Sequence, residues 1–307
     1  KYETIRLKRG GEMLIQFSVE NFKSFRGEAV LSLIPSKDTN HENNVSILES
    51  SERVLNTIAI YGANAAGKTN LFKALTVAIL LIRKSNQLQK NDRLDSIIPF
   101  LFDPEMAHKP TSFEFVFSTN GVKYIYGFAA TQVEIISEYL YAYYSVKPTT
   151  IFEREGDKYK FPKDKRMLEQ LAEKNTPNKL FISTATAWNY DRTEPAYSWF
   201  EKGINTYPEY ERLHPYAFEQ FEKEEPEKIH QFVIELLRES DINISDYKIK
   251  SEPINEQEWA QLFGPLFSAA KDSKLLEGKK QNVFMDHLIF NEDGTTSVYQ
   301  LNMTDES

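Results

Sequence analysis

The segment Gly62-Ala63-Asn64-Ala65-Ala66-Gly67-Lys68-Thr69-Asn70 constrains this chain more than any other feature. It fits G-x-x-x-x-G-K-[ST], the pattern of a loop that cradles phosphate. The flanks fit as well. Before it lies Thr57-Ile58-Ala59-Ile60-Tyr61, a short β-prone run, and after it Leu71-Phe72-Lys73-Ala74-Leu75 continues into Val77–Ile82 without a helix breaker. The expected arrangement is strand, loop, helix.

The residue types explain the chemistry. Gly62 and Gly67 permit backbone angles that let successive N–H groups turn inward around an anion. A helix starting near Lys68 adds the positive end of its dipole. Lys68 can reach terminal phosphates as a mobile point charge, and Thr69 offers a hydroxyl to Mg²⁺, which prefers hard oxygen ligands. Ala63, Asn64, Ala65, Ala66 and Asn70 complete the candidate nucleotide loop.

Composition sets the limits around that site. A chain of 307 residues is long enough for one or two domains. Hydrophobic content of 41% and charged content of 27% are those of an ordinary globular protein. The net charge of −8 argues against a generally basic DNA-coating surface, although a local basic groove remains compatible with it. With no cysteine, disulfides and thiolate metal sites are excluded, and the five scattered histidines show no ligand spacing. The longest apolar run, Ala74–Ile82, is far short of the roughly 20 residues that span a bilayer, and no signal peptide precedes it. A cytoplasmic protein with no membrane partner is expected.

Period and punctuation give the organisation. Residues 1–12 (KYETIRLKRGGE) differ in texture from the rest of the chain, and two readings stand: a basic arm, or a leader ahead of a natural start at Met13. Leu14–Phe17 with Val19 reads as a strand, Ala29–Ile34 as β-rich, and 35–52 as a loop. Ser112–Phe117 and Val122–Phe128 alternate around Asn120-Gly121 and predict a hairpin. Tyr124, Tyr126 and Phe128 share a face that is either a half-buried sheet surface or a base-stacking platform, with the sheet surface preferred. Val133–Tyr144 is a further strand, and Glu155-Gly156-Asp157 marks a second hairpin. From Pro162 the texture turns helical: 165–174, 196–202, 216–224, and an amphipathic stretch over 227–239. Repeated prolines rule out a long coiled coil. Val283–Phe290 and Thr296–Met303 form a last hairpin. The domains expected are 13–161 as the phosphate-loop unit with its antiparallel sheet, 162–281 as a helical insertion, and 282–307 as a return hairpin to the first domain.

Taken together, the N-terminal strand leading into Glu20-Asn21-Phe22-Lys23-Ser24-Phe25, the loop GANAAGKTN, the antiparallel sheet and the helical insertion resemble the ABC-type ATPase heads of the RecF/SMC kind. They are more closely similar to the AAA-domain ATPases of the OLD-like and abortive-infection group, often found in phage-defence loci. The resemblance implies an α/β P-loop NTPase fold whose head-like N-terminal lobe carries an antiparallel β-subdomain. It implies ATP and Mg²⁺ as cofactors and a homodimer closing on nucleotide through its heads. The partners it implies are an effector such as a nuclease or toxin, or DNA. It also places Asn21–Phe25 beside the nucleotide with Lys23 and Ser24 as contacts; the other reading makes Phe22 and Phe25 core and Lys23 merely exposed. Ala65 departs from the glycine of many SMC-type loops, which weakens a strict SMC assignment.

The same resemblance implies a Walker B strand ending in Asp-Glu, where Asp holds the Mg²⁺ shell and Glu positions water. No apolar strand followed by Asp-Glu occurs after the loop. Asp305-Glu306 follows the polar Leu301–Thr304, and Asp305-Glu306-Ser307 is similar to the opening of a signature segment. The expectation is the N-terminal part of a longer or split ATPase, or a degenerate copy, inactive alone. No catalytic residue is assigned. The alternatives are a non-catalytic nucleotide-gated regulatory subunit and a RecF-like repair ATPase. A guanine-specific enzyme is disfavoured by the lack of Asn-Lys-x-Asp.

Overall fold

Alternation of apolar and polar residues builds the sheet that supports the loop. The structure is a computed structural model and describes residues 12–37, 40–206, 226–239, 244–257, 279–291 and 293–302. The chain forms two compact units, Lys1–Glu209 and Tyr210–Ser307.

The N-terminal unit runs β1 (Met13–Glu20), β2 (Ala29–Ser32), β3 (Val45–Ile47), β4 (Arg53–Leu55), α1 (Lys68–Lys84), β5 (Thr111–Thr119), β6 (Val122–Ala130), β7 (Ile135–Tyr143), β8 (Thr149–Glu155), β9 (Lys158–Lys160), α2 (Lys165–Ala172), α3 (Phe181–Ala187) and α4 (Glu194–Ser198). Seven strands form one antiparallel sheet in the order β2-β1-β5-β6-β7-β8-β9. Side chains alternate across a strand, so one register decides a whole face. Phe17 and Val19, Phe113, Phe115 and Phe117, and Tyr124, Tyr126 and Phe128 all turn to the same buried face.

Helix α1 closes that face. Its buried Ala74, Leu75, Ala78, Ile79 and Ile82 form a stripe at helical spacing and join the same core cluster. After α4 comes a π-helical turn, Trp199–Gly203. Trp199 stacks on Phe117 with centroids 4.2 Å apart, and Phe200 meets Phe115 edge-on at 5.0 Å. Burial of each such ring stabilises the unit by about 1.5–3 kcal/mol. Arg83 Nε, at the end of α1, donates to Phe200 O (2.6 Å) and so ties helix to turn.

A buried ionic group locks α3 onto the sheet. Glu138 and Arg154 are cross-strand partners on β7 and β8, both side chains essentially inaccessible, with Arg154 Nη1 3.7 Å from Glu138 Oε2. The carboxylate accepts the N–H of Phe181 (2.6 Å) and of Ile182 (2.9 Å) at the start of α3, and the Tyr126 hydroxyl (3.0 Å). Arg154 donates to Gly156 O and Lys179 O. Burial pushes the Glu138 carboxyl above the ordinary glutamate value, against the opposing pull of Arg154 and the two N–H donors.

In the C-terminal unit, α5 (Pro226–Glu239) precedes β10 (Asp246–Pro253), β11 (Lys279–Phe290) and β12 (Thr296–Asn302). These strands form an antiparallel sheet in the order β10-β11-β12. Asp286 on β11 accepts Lys248 Nζ from β10 (2.7 Å) and Gln300 Nε2 from β12 (2.6 Å), linking the three strands.

Several expectations need correction. The β-prone run Thr57–Tyr61 forms no strand and joins no sheet among the described residues. A strand exists only through its partners, and β1, next to the edge of the sheet, is already flanked by β2 and β5. The loop read over 35–52 contains β3, which pairs with β4. Tyr124, Tyr126 and Phe128 are at most 2% exposed, so they are core and cannot stack on bases. Helices α2 to α4, read as insertion, pack into the N-terminal core. Helix α3 and strand β10 were not expected. The helix read over 216–224 lies outside the described residues, as do Met303 and Asp305–Ser307.

Candidate functional site

The loop Gly62–Ala66 is exposed and carries the chain into α1. Gly67 caps the helix in the left-handed region, φ 92°, which an L side chain adopts only at a cost. Ala65 also sits at positive φ, 63°. No side chain caps the helix, and its first turn contains no acidic residue. A helix leaves its first N–H groups without intrahelical partners. Here those donors face outward at the positive end of a 17-residue dipole.

The side chains complete the cradle. Lys68 Nζ donates to Gly62 O (2.7 Å) and Ala63 O (2.8 Å), folding back over the loop. Thr69 is exposed in the first turn of the helix. Asn70 Nδ2 donates to Ser24 Oγ (2.8 Å). That last bond brings the Asn21–Phe25 segment to the loop, 46 residues away in sequence.

Asn21 is what holds that segment in place. It is 1% exposed and left-handed at φ 54°. Its Nδ2 donates to Met106 O (2.8 Å) and Lys109 O (2.9 Å), and its Oδ1 accepts Phe100 N (3.0 Å). Thr111 Oγ1 donates to Asn21 O (2.6 Å). Phe22 and Phe25 then exchange backbone hydrogen bonds across a tight turn, with Lys23 N donating to Ile98 O. Phe22 enters the core, while Phe25 is half-buried with its ring edge against Gly67. A Cβ added at Gly67 would lie 3.1 Å from Ser24 Oγ and 3.2 Å from the Phe25 ring. Phe22 is core, Phe25 is only half-buried, and Ser24 stands beside the helix start. Sequence reasoning missed the role of Asn21, whose partners are 79 to 90 residues away.

Among the described residues, no cluster of three or more His, Cys, Asp or Glu could hold a metal ion. No described helix is long and apolar enough to cross a membrane. A glycine-bounded loop, an uncapped helix start and a lysine folded over the loop define the P-loop class of phosphate-binding sites. A family model described as "AAA domain, putative AbiEii toxin, Type IV TA system" matches residues 58–301. The chain belongs to that family, and with it to the P-loop ATPases. No curated protein matches the sequence.

Proposed function

We propose that this chain binds ATP with Mg²⁺ through Gly62–Asn70 and serves as the nucleotide-binding part of an ABC-type ATPase head. The observation that carries the reading is the helix start: outward N–H groups at Gly67–Asn70, no acidic residue in the first turn, and Lys68 poised on the loop carbonyls. On binding, the N–H groups grip phosphate oxygens and Lys68 leaves Gly62 O and Ala63 O for the outer phosphates. Thr69 would supply a hard oxygen to Mg²⁺, whose charge would offset that of the phosphates. Lys23 and Ser24 line the flank of the site, and Ser24 keeps Asn70 oriented.

Gly62–Ala66 is exposed, so this chain grips phosphate from one side. A second head closing on the nucleotide would supply the other side, with output to an effector of the toxin or nuclease kind, or to DNA. The family description, with its toxin and Type IV system, favours a defence effector over a repair role. Calorimetry with ATP and Mg²⁺ tests the core of this reading. Lys68→Ala should abolish binding while leaving the melting temperature unchanged, because Lys68 bonds only exposed loop carbonyls here. Unchanged affinity in that variant would sink the assignment.

A further inference from the structure

The C-terminal sheet β10-β11-β12 has two outer edges, and they differ. β10 carries Asp246, Lys248, Lys250 and Glu252 and ends on Pro253, features that blunt an edge. β12 reads Thr-Ser-Val-Tyr-Gln-Leu-Asn, with no charge, proline or glycine in its 7 residues. Its far side meets no strand among the described residues.

Register fixes what that edge offers. Asn291 N donates to Thr295 O (2.9 Å), and the β11–β12 pairing then runs without a shift through His287 opposite Tyr299. Hydrogen-bonded and non-hydrogen-bonded pairs alternate along an antiparallel ladder. Ser297, Tyr299 and Leu301 therefore bond to β11, while Thr296, Val298 and Gln300 turn their N–H and C=O groups outward. Residues 296 to 300 are all exposed, with Val298 at 60% and Tyr299 at 55% on opposite faces. An exposed row of backbone donors and acceptors on an uncharged strand is a template for one more strand.

We propose that β12 pairs antiparallel with β12 of a second copy of this chain, about a two-fold axis at Tyr299. In such a contact identical strands face each other, so a charge near the axis meets its own kind. β10 paired in the same way about Ile249 would set Lys248 against the partner's Lys250, and like charges directly opposite are destabilising. β12 has no such conflict. Each copy carries a net charge of −8, so an uncharged strand is a contact that identical chains can share. A foreign strand selected by charge would find nothing on β12 to complement. With the axis at Tyr299, Val298 faces the partner's Gln300 and Thr296 faces the partner's Asn302. Tyr299 meets the partner's Tyr299 as a non-hydrogen-bonded pair, the closer kind, with Cα atoms about 4.5 Å apart. Aromatic pairs at such positions stabilise a sheet. The contact belongs to the C-terminal unit and is independent of the nucleotide loop, which lies in the other unit.

Sedimentation velocity of the full chain without nucleotide tests it. A strand of 7 residues is smaller than the roughly 20–30 residues a side of a standard interface, so a dimer with a dissociation constant of about 1–100 µM is expected. Tyr299→Lys sits on a half-exposed side chain and should preserve the melting temperature. It should weaken the dimer at least about tenfold, and mixing it with Tyr299→Glu should restore association. The chain has no cysteine, so single substitutions can report the register. Tyr299→Cys places two thiols at the axis, within the roughly 4.4–6.8 Å between Cα atoms that a disulfide spans. Thr296→Cys places them about 20 Å apart, at about 3.4 Å per residue. Diamide should cross-link the first variant and leave the second unlinked. A chain that is monomeric at about 200 µM overturns the proposal and leaves the edge to a strand of another protein. A dimer untouched by Tyr299→Lys, or equal cross-linking of the two cysteine variants, overturns it as well.

Discussion

Gly67→Ala tests whether the Asn21–Phe25 turn and the phosphate loop are one structure. Two independent costs can be read from the geometry. The first is backbone: an L residue at φ 92° loses about 1–2 kcal/mol relative to glycine. The second is contact: the new methyl would sit 3.1 Å from Ser24 Oγ and 3.2 Å from two atoms of the Phe25 ring. Those neighbours would have to give by a few tenths of an ångström, and rotamer strain of that kind costs about 0.5–1.5 kcal/mol. The sum is roughly 1.5–3.5 kcal/mol, or a drop of roughly 3–14 °C in melting temperature for a unit of this size. Affinity for ATP and Mg²⁺ should fall at least about tenfold, because the helix start can no longer hold its N–H groups in place. Thermal melts of Gly67→Ala, Ser24→Ala and the double variant close a cycle. The double variant should recover part of the contact cost and none of the backbone cost. If the two substitutions add to within about 0.3 kcal/mol, the turn does not press on the loop and the reasoning fails.

Other parts of the molecule give three further expectations. Thr69→Ala should weaken Mg²⁺-dependent ATP binding more than metal-free binding, and an equal loss in calorimetry with and without Mg²⁺ would remove Thr69 from the metal shell. Glu138→Ala should destabilise the N-terminal unit by about 3–5 kcal/mol in urea unfolding, since it strands Arg154 and two N–H groups of α3 in the core; a loss below about 1 kcal/mol would show that water reaches the group. In the C-terminal unit, hydrogen bonds from Lys248 and then Gln300 hold the Asp286 carboxyl below its ordinary value. A depressed carboxyl stabilises the fold above its unfolded value, near pH 3.9, and that stability is lost as pH falls through the folded value. Amide protection in β10 and β11 should therefore decline below about pH 4, and Asp286→Asn should flatten the decline.

Much of the fold was legible because the signals are local. G-x-x-x-x-G-K-[ST] is a contiguous string, and α1 follows from an unbroken run of good helix formers. The β5–β6 and β8–β9 hairpins announce themselves through Asn120-Gly121 and Gly156 flanked by alternating strands. What escaped depends on distant partners. Phe181–Ala187 is rich in β-branched residues and helical only because its surroundings bury it and Glu138 caps its first N–H groups. Strand β10 is polar along most of its length and is fixed by pairing with β11. Asn21 looks like any turn asparagine until its hydrogen-bond partners around residues 100–109 are seen. The Thr57–Tyr61 run shows the opposite error: local propensity for a strand, with no pairing strand among the described residues to realise it.

The two ends of the seven-stranded sheet bear on how this chain avoids clumping. At one end, β9 is only Lys158-Tyr159-Lys160, with both lysines exposed; at the other, β2 is four residues long. Short edges and lysines discourage another molecule from adding a strand. Tyr61, 89% exposed immediately before the phosphate loop, with the half-buried Ile58 and Ile60 beside it, has no such guard. Self-association on warming or concentration is therefore expected at exposed apolar side chains such as Tyr61 rather than at these sheet edges.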